Sequence, residues 1–349
     1  MSDLVLVTGS SGLIGSAVVK LLDSLGFKTI GIDNNFRKKF FGPGGDTSQT
    51  RENLIKSTKH FIDFSFDISD EGAVEDLFTK FKFKSIVHCA AQPSHDKAAL
   101  IPKLDFYTNA IGTFNLLESF RKSESTGIFI FMSTNKVYGD NPNKLDLSES
   151  KLRFDFADLR FVSGINESLS IDHTTHSLFG TSKASADLLV QEYGRYFNLN
   201  TVSLRGGCLT GPQHASVALH GFLSYMIKVI SNNQMYEIIG YKGKQVRDQI
   251  HSSDIANLIY QLLGKSIKGE AFNIGGGKNN SLSILEILEI LKSDYQLNPN
   301  IRYNPNNRVG DHICYYTDLS KIQESVPEFK IKYGIREIID EIVYSSKLT

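Results

Sequence analysis

The chain has 349 residues, of which 41% are hydrophobic, so it is long enough to bury a large α/β core. Lys plus Arg and Asp plus Glu number 38 each, which gives no reason to expect nucleic acid or an anionic membrane as a partner. The 3 cysteines and 9 histidines show no metal-ligand spacing, and no apolar run is long enough for a membrane span. We therefore expect no metal ion and a cytoplasmic location, since a first strand from Leu4 leaves no room for a signal peptide.

A glycine-rich turn follows the first predicted strand, at 4–7, and precedes an amphipathic helix. Gly9 permits a sharp turn, Gly12 lets a phosphate come close, and Gly15 lets the helix pack on the strand. The helix N-terminus offers unpaired N–H groups and the positive end of a dipole to a pyrophosphate. The turn therefore predicts a dinucleotide site formed by Gly9, Gly12, Leu13, Ile14 and Gly15.

A second predicted strand ends at Asp33. A carboxylate at this point accepts hydrogen bonds from the adenosine ribose and repels the 2′-phosphate of NADP, so NAD is the predicted cofactor. Asn34, Asn35 and Arg37 are within reach of the same ribose. Arg37 could instead favour the 2′-phosphate, and the sequence leaves this alternative open. The polar, glycine-rich segment 34–50 is predicted to be a long loop.

Apolar strand patterns and helical patterns then alternate along the first part of the chain. Further strands are predicted at 60–64, 85–90, 128–132 and 201–205, and helices at 103–122 and 180–197. Strands separated by helices predict right-handed crossovers. The expected fold class is therefore α/β, with a doubly wound parallel sheet of Rossmann type.

The alternation is looser in the second part of the chain. Helices are predicted near 221–231, 253–263, 281–291 and 335–344, with short strands near 237–239 and 271–274. We expect 1–210 to form an NAD-binding Rossmann domain to which a segment near 245–275 returns. Residues 211–349 should mainly form a smaller C-terminal substrate-binding lobe over the carboxyl edge of the sheet, where open α/β sheets bind ligands.

Several segments make the chain similar to a known family. The chain resembles the extended short-chain dehydrogenases/reductases, the nucleotide-sugar epimerases and dehydratases, at 8–15, 87–91, 109–115, 133–139, 243–248 and 272–275. The resemblance covers nearly the whole length. Within the family, 133–140 and 243–248 are most similar to enzymes that epimerise C2 of a CDP-hexose. The resemblance implies tightly held NAD, transient oxidation of a sugar carbinol and return of the hydride to the opposite face.

The family normally uses a Ser or Thr, a Tyr and a Lys for this chemistry. Thr134 matches the Ser/Thr that binds the sugar hydroxyl, and Lys183 matches the Lys that holds the nicotinamide ribose and lowers the pKa of the Tyr. Phe179 stands in place of the Tyr, and none of the 14 tyrosines has a Lys four residues later. Two explanations stay open: another group replaces the Tyr, or Phe179 is a substitution made to block turnover.

Four side chains are within sequence reach of the position that the Tyr would occupy. We prefer His176 as the catalytic substitute, because it lies one helical turn before Phe179 and imidazole titrates near neutrality. Glu167 and then His173 follow in order of preference, and Tyr138 is the fourth candidate.

The two residues after Thr134 separate reaction types within the family. The family 4,6-dehydratases carry an Asp and a Glu there as acid and base, whereas this chain has Asn135 and Lys136. Loss of water is therefore not expected. We assign Asn135 and Phe179 to the substrate site.

The resemblance also implies contacts along both ligands. Arg247 matches the family arginine that grips the substrate pyrophosphate, and Arg308 resembles a second such arginine. The other cofactor contacts that it implies are Asp67 and Ile68 beside the adenine, Ala90, Ala91 and Gln92 along the phosphates, and Asn109.

We therefore expect an NAD-dependent nucleotide-sugar epimerase that acts at C2 of a CDP- or other NDP-hexose. A net nucleotide-sugar dehydrogenase or reductase is the alternative among enzymes, and it would accumulate free NADH. Phe179 motivates a third hypothesis, a catalytically silent protein that binds NAD and a nucleotide sugar. Family members pair the helices equivalent to 103–122 and 180–197 as a four-helix bundle, so the resemblance also implies a homodimer.

Overall fold

The structure, a computed structural model, describes residues 3–211, 221–307 and 310–346. The predicted substrate contact Arg308 lies outside these residues. Strands β1 to β15 are Leu4–Thr8, Lys28–Ile32, Phe61–Phe64, Ser85–His88, Ile128–Thr134, Leu147–Glu149, Phe154–Phe156, Asn200–Gly206, Cys208–Thr210, Met235–Ile239, Val246–His251, Lys268–Ile274, Ser281–Ser283, Asn300–Asn304 and Cys314–Tyr315. Helices α1 to α13 are Leu13–Ser24, Phe36–Phe41, Ser48–Ser57, Glu71–Lys80, His95–Leu100, Pro102–Phe106, Gly112–Lys122, Ser177–Tyr196, Phe222–Ser231, Ser252–Leu262, Ile284–Tyr295, Ser320–Ser325 and Ile335–Ser346.

The largest sheet in the described part of the chain has 7 strands in the order β3-β2-β1-β4-β5-β8-β12. All neighbouring strands in it are parallel. The strand order reverses between β1 and β4, which is the switch point where a crevice for ligands opens in such sheets. The predicted doubly wound α/β fold is therefore confirmed.

Apolar helices cover both faces of this sheet. Leu22 of α1 and Ile259 of α10 belong to the buried cluster on one face. Leu117 of α7 and Val190 of α8 belong to the cluster on the other. All four side chains are almost completely buried. Burial of such a side chain stabilises the fold by about 1.5–3 kcal/mol. The helix layers on the two faces therefore hold the sheet in place, together with the edge from which its loops extend.

The C-terminal elements form a separate buried cluster. Met226 of α9, Ile287 of α11 and Ile338 of α13 pack around the β10–β14 pair. Strand β11 lies in a smaller sheet, where β13, β15 and β9 pair with it. Because β9 follows β8 of the main sheet almost directly, β11 is held beside the carboxyl edge of that sheet.

The segment 34–50 is not the long loop predicted from its composition. It folds into α2, a 3₁₀ turn at Gly42–Gly45 and the first turn of α3. The Nδ2 group of Asn35 donates to Oδ1 of Asp46 at 2.8 Å and to Oγ of Ser48 at 3.0 Å. Such side-chain bonds order short helices in a stretch whose residue types are those of turns.

Over the three described ranges, no helix is both long and apolar enough to cross a bilayer. The same residues contain no group of three or more His, Cys, Asp or Glu side chains placed to hold a metal ion. Cys89, Cys208 and Cys314 form no disulfide. Burial raises the pKa of the Cys89 and Cys314 thiols to about 12, so both stay protonated at neutral pH.

Candidate active site

A cavity of about 590 Å³ opens at the carboxyl edge of the main sheet. Its wall includes the segments that follow β1, β2, β3, β4, β5 and β8, together with residues of α8, α9, β10 and β11. The cavity therefore spans the switch point and the C-terminal elements. Most of the predicted site residues lie in its wall: Gly9, Gly12, Leu13, Ile14, Gly15, Asp33, Asn34, Arg37, Asp67, Ile68, Ala90, Ala91, Thr134, Asn135, Phe179, Lys183 and Arg247.

The glycine-rich turn leaves space that side chains would fill. Gly9 has a φ of +65°, and a Cβ there would lie 2.8 Å from the backbone nitrogen of Ala90. A Cβ on Gly15 would collide with the carbonyl of Gly9. Gly12 precedes α1 without a side-chain cap, and the first turn of α1 carries no acidic residue. The N–H groups at this helix end are therefore open to an anion, which fits a pyrophosphate.

Asp33 lies beside this turn, and both of its carboxylate oxygens accept hydrogen bonds from backbone N–H groups. Oδ2 accepts a hydrogen bond from the N–H of Ser11 at 3.0 Å, and Oδ1 accepts one from the N–H of Asn35 at 2.8 Å. Burial raises the pKa of Asp33, while these bonds and the charge of Arg37 oppose the rise. Asn35, the other predicted ribose contact, is not among the residues that line the cavity, and its side chain donates to Asp46.

Gln92 and Asn109 were predicted to contact the cofactor, but neither lines the cavity. Both are buried, and the N–H of Gln92 donates to Oδ1 of Asn109 at 2.8 Å. The amide of Asn109 donates to Asp105 at 3.2 Å and to Ser182 at 3.0 Å. These bonds tie the loop after β4 to α6 and α8, so the two residues support the cavity wall from behind.

Thr134, Phe179 and Lys183 all line the cavity. The Lys183 ammonium donates to the carbonyl of Met132 at 2.7 Å and lies 4.0 Å from the ring centre of Phe131. Burial lowers the pKa of Lys183 to about 7. Phe179 and Lys183 both belong to α8, and Thr134 is the last residue of β5.

His176, the preferred catalytic substitute, does not line the cavity. The one-turn spacing to Phe179 requires continuous helix, but Ser177 has a φ of +61°, in the left-handed region, so the helical face does not extend back to His176. His173 also lies outside the cavity wall.

The other two candidate substitutes for the missing tyrosine are hydrogen-bonded within the protein, Tyr138 fully buried and Glu167 half-buried. The hydroxyl of Tyr138 donates to Oδ1 of Asn273 at 2.7 Å and accepts from Arg205 at 3.1 Å. Oε1 of Glu167 accepts a hydrogen bond from the N–H of Asn273 at 2.5 Å. Neither Tyr138 nor Glu167 lines the cavity.

A cluster of three charged groups lines the cavity beside β11. Arg247 donates to Oδ1 of Asp311 at 2.6 Å and to the carbonyl of Val246 at 2.7 Å. Lys136 donates to the carbonyl of Gly310 at 2.8 Å, and its ammonium lies 3.9 Å from Asp311. Burial raises the pKa of Asp311, but Arg247 and Lys136 outweigh burial and hold that pKa below its usual range.

Three further residues that were not predicted to be in the site also line the cavity: Lys136, Asp311 and His95. Lys136 occupies one of the two positions at which the family dehydratases carry a catalytic acid. That position in the sequence could have indicated that Lys136 belongs to the site. Asp311 lies three residues after Arg308, in a segment that the resemblance had indicated. His95 had no local signal, because it is placed by the packing of α5 against α8.

A family model described as the NAD dependent epimerase/dehydratase family matches residues 5–275. This chain belongs to that family. CDP-paratose 2-epimerase from Salmonella typhi is a relative of this chain. The two are 34% identical over 346 residues, which cover 96% of this chain and 98% of the relative.

Solved structures share the fold of this epimerase/dehydratase chain over its whole length. UDP-glucose 4-epimerase from Thermotoga maritima, solved with UDP-glucose, has a TM-score of 0.80 at 24% identity and covers 99% of this chain and 100% of its own. UDP-glucose 4-epimerase from Thermus thermophilus, solved with NAD, has a TM-score of 0.78 at 24% identity, with 99% of each chain covered. NAD is the cofactor of this chain, and the open helix end after Gly12 and the carboxylate of Asp33 fit its pyrophosphate and ribose.

Proposed function

We propose that this chain is a nucleotide-sugar epimerase that inverts C2 of a CDP-hexose or another nucleoside diphosphate hexose. The observation that supports it is a single cavity whose wall runs from the glycine-rich turn, past Thr134 and Lys183, to Arg247. The 34% identity to CDP-paratose 2-epimerase supports the cytidine and the C2 position. NAD, when bound, accepts a hydride from the carbinol carbon and returns it.

The side chains of the wall have separate tasks in this proposal. The hydroxyl of Thr134 binds the sugar hydroxyl, and Lys183 orients the nicotinamide ribose by hydrogen bonding. Arg247 binds the substrate diphosphate through its forked guanidinium, which Asp311 orients in advance. Arg37 and Asn34 lie at the adenosine end of the cavity beside Asp33.

Asn135 and Lys136 favour epimerisation over loss of water. Elimination in the family dehydratases uses an acid pair directly after the Thr, and an amide cannot take the place of a carboxylic acid in proton transfer. Lys136 is a cation beside Asp311 instead of a second carboxylate. We therefore propose oxidation and reduction at one carbon as the whole reaction.

The test uses CDP-, UDP- and dTDP-hexoses labelled with deuterium at C2, each incubated with the purified protein and NAD. NMR should show the C2 epimer of one of them, with the deuterium retained and no free NADH. Accumulation of one NADH for each sugar oxidised would indicate the dehydrogenase alternative. Binding of a nucleotide sugar without epimer or label movement would indicate a silent binding protein, which Phe179 motivates.

The nucleotide content of the protein gives an independent check of the cofactor. Denatured protein should release NAD or NADH, identified by mass, and not NADP. We also propose the cytoplasm as the compartment, because a reducing environment keeps three unpaired cysteines as thiols.

A further inference from the structure

The strand that carries Arg247 presents a second polar side chain to the cavity. Arg247 and Gln249 of β11 both line the cavity, since alternate residues of a strand face the same side. Asp248 lies between them and faces the protein interior. There its Oδ2 accepts hydrogen bonds from the N–H groups of Gly277 and Thr317, at 3.0 Å each. The Cα atoms of Arg247 and Gln249 are therefore about 7 Å apart on one face of the strand.

Gln249 is a buried polar residue with an unpaired donor. It is 1% exposed, and its Nε2 group has no hydrogen-bond partner among the described residues. In the same wall, Gln245 donates from Nε2 to the carbonyl of Ile239 at 3.1 Å. A buried N–H group without a partner lowers the stability of a protein, and native structures contain few of them. Because Gln249 lines the cavity, a bound ligand can supply the missing acceptor.

Strand pairing connects Gln249 with the part of the wall that carries Thr134. Gln249 is paired with Cys208 of β9. Two residues before Cys208, Gly206 is paired with Thr134 at the end of β5. Gly206, Gly207 and Cys208 also line the cavity, so small residues form the wall along this path. A hexose whose hydroxyl is bound by Thr134 would therefore lie against the same stretch of wall as Gln249.

The amide of Gln249 suits a sugar hydroxyl better than a phosphate. Its Nε2 donates and its Oε1 accepts, and a hydroxyl does both. A phosphate oxygen is an anionic acceptor, for which the guanidinium of Arg247 is the better partner. Cys208 does not compete for the amide, because burial raises the pKa of its thiol to about 11 and a neutral thiol forms only weak hydrogen bonds.

Resting on the proposed function, we propose that Gln249 determines which hexose this chain accepts, through a hydrogen bond to a sugar hydroxyl that does not react. Thr134 binds the reacting hydroxyl at C2, so the partner of Gln249 is the hydroxyl at C3, C4 or C6. A hexose that lacks this hydroxyl leaves the amide buried and unpaired. A site built to hydrogen-bond a hydroxyl rejects the analogue without it, and this is how one side chain selects a sugar.

The Gln249→Met variant tests the assignment through binding and does not require turnover. Met has nearly the length of Gln but no amide group. Calorimetry with CDP-glucose and UDP-glucose identifies the probe that binds more tightly to the NAD-loaded wild-type protein. Gln249→Met should weaken the binding of that probe about 5- to 150-fold, because the sugar hydroxyl is then buried without a partner. Affinity for NAD and for CDP or UDP without a sugar should stay unchanged.

Deoxy analogues of the same probe identify the hydroxyl. The 3-, 4- and 6-deoxy forms are each titrated into the wild-type protein and into Gln249→Met. One of them should bind equally to both proteins, because the group that Gln249 binds is already absent, and the other two should keep the full difference. Gln323→Met, the same exchange at an exposed glutamine outside the cavity wall, is the matched control and should bind every probe as the wild type does.

Thermal melting without a nucleotide sugar separates ligand recognition from a structural role. Since Nε2 of Gln249 has no partner among the described residues, Gln249→Met loses no hydrogen bond from that group and should melt at the same temperature as the wild type or above it. A lower melting temperature, or failure of the variant to fold, would show that the amide is needed by the protein itself and would overturn the inference.

The remaining outcomes separate this inference from the proposed function. A wild-type protein that epimerises no nucleotide sugar but binds one through Gln249 would lose the proposed function and keep the hexose contact. Unchanged binding of the probe to Gln249→Met would overturn the hexose contact alone. An equal loss of affinity for CDP or UDP would move the contact to the nucleoside diphosphate, and a loss of NAD affinity would move it to the cofactor. Failure of the wild-type protein to bind either probe would overturn both.

Discussion

Lys183 is a buried cation whose charge should control how stability depends on pH. Burial lowers its pKa to about 7, whereas an unfolded chain has a lysine pKa of about 10.4. Between these pH values the unfolded chain binds a proton that the folded chain does not bind, so stability rises as the pH increases from about 7 to about 10. Below about pH 7 the folded protein carries the buried charge, and the cost is constant.

The Lys183→Met variant should remove this pH dependence. Its free energy of unfolding, relative to that of the wild type, should increase as the pH falls from 10 to 7, by at most about 1.4 kcal/mol per pH unit, so the variant becomes relatively more stable. Urea denaturation of nucleotide-free protein at several pH values measures the difference. Lys59→Met, at an exposed lysine, is the control and should give a constant difference. Parallel curves for Lys183→Met and the wild type would show that folding does not lower the pKa of Lys183.

Arg247 should contribute to substrate affinity and not to NAD affinity. Arg247→Ala should weaken nucleotide-sugar binding by about 1.5–3 kcal/mol, as expected for a charge-assisted hydrogen bond. Arg247→Lys keeps the charge but loses the fork, so we expect an intermediate effect. Calorimetry with NAD and with the nucleotide sugar, each in turn, measures the two affinities. A loss of NAD affinity with normal nucleotide-sugar affinity would show that Arg247 lies at the NAD site and not at the nucleotide-sugar site.

Local sequence signals predicted the residues that lie next to one another along the chain. The glycine-rich turn and Asp33 are placed by φ angles, helix ends and a strand end, all of which act over a few residues. His95 could not be found in this way, because it reaches the cavity through the packing of α5 on α8. His176 was preferred for its helical spacing from Phe179 and for the near-neutral titration of imidazole, and the left-handed backbone at Ser177 interrupts the helix that this spacing assumed.

At the scale of elements, a buried ion pair joins α8 to the main sheet behind the cavity. Asp187 of α8 accepts from Arg205 of β8 at 2.9 Å and from the hydroxyl of Ser133 in β5 at 2.6 Å. Arg205 also donates to the hydroxyl of Tyr138 at 3.1 Å. The pair therefore holds the helix that carries Phe179 and Lys183 in register with the strand that carries Thr134.

Removing one partner of this pair should destabilise the protein strongly. Arg205→Met should cost about 3–5 kcal/mol, because the buried Asp187 carboxylate loses the guanidinium that is hydrogen-bonded to it. The double variant Arg205→Met with Asp187→Leu should be more stable than Arg205→Met alone, since neither charge remains. Urea unfolding of the variants measures both effects. If the single variant loses less than about 1 kcal/mol, the pair behaves as a solvent-exposed salt bridge.

At the scale of the whole molecule, two neighbouring helical segments expose apolar side chains. Phe106 is 41% exposed, Phe114 40%, Leu188 49% and Tyr196 76%. The first two lie in the segment formed by α6, a π-helical turn and α7, and the others lie in α8, which packs against it. Clustered exposed apolar side chains of this kind mark surfaces that bind protein.

We expect these segments to pair with their counterparts on a second copy of the chain about a two-fold axis. Light scattering at micromolar concentration should give twice the 38.9 kDa mass of one chain. Leu188→Glu should shift the mass towards that of one chain, because a two-fold axis brings the new charge into the interface twice and buries it there. Leu159 is 86% exposed and lies outside both segments, so Leu159→Glu is the matched control and should leave the mass unchanged. A wild-type protein with the mass of one chain, or a Leu188→Glu variant that keeps the dimer mass, would contradict the arrangement.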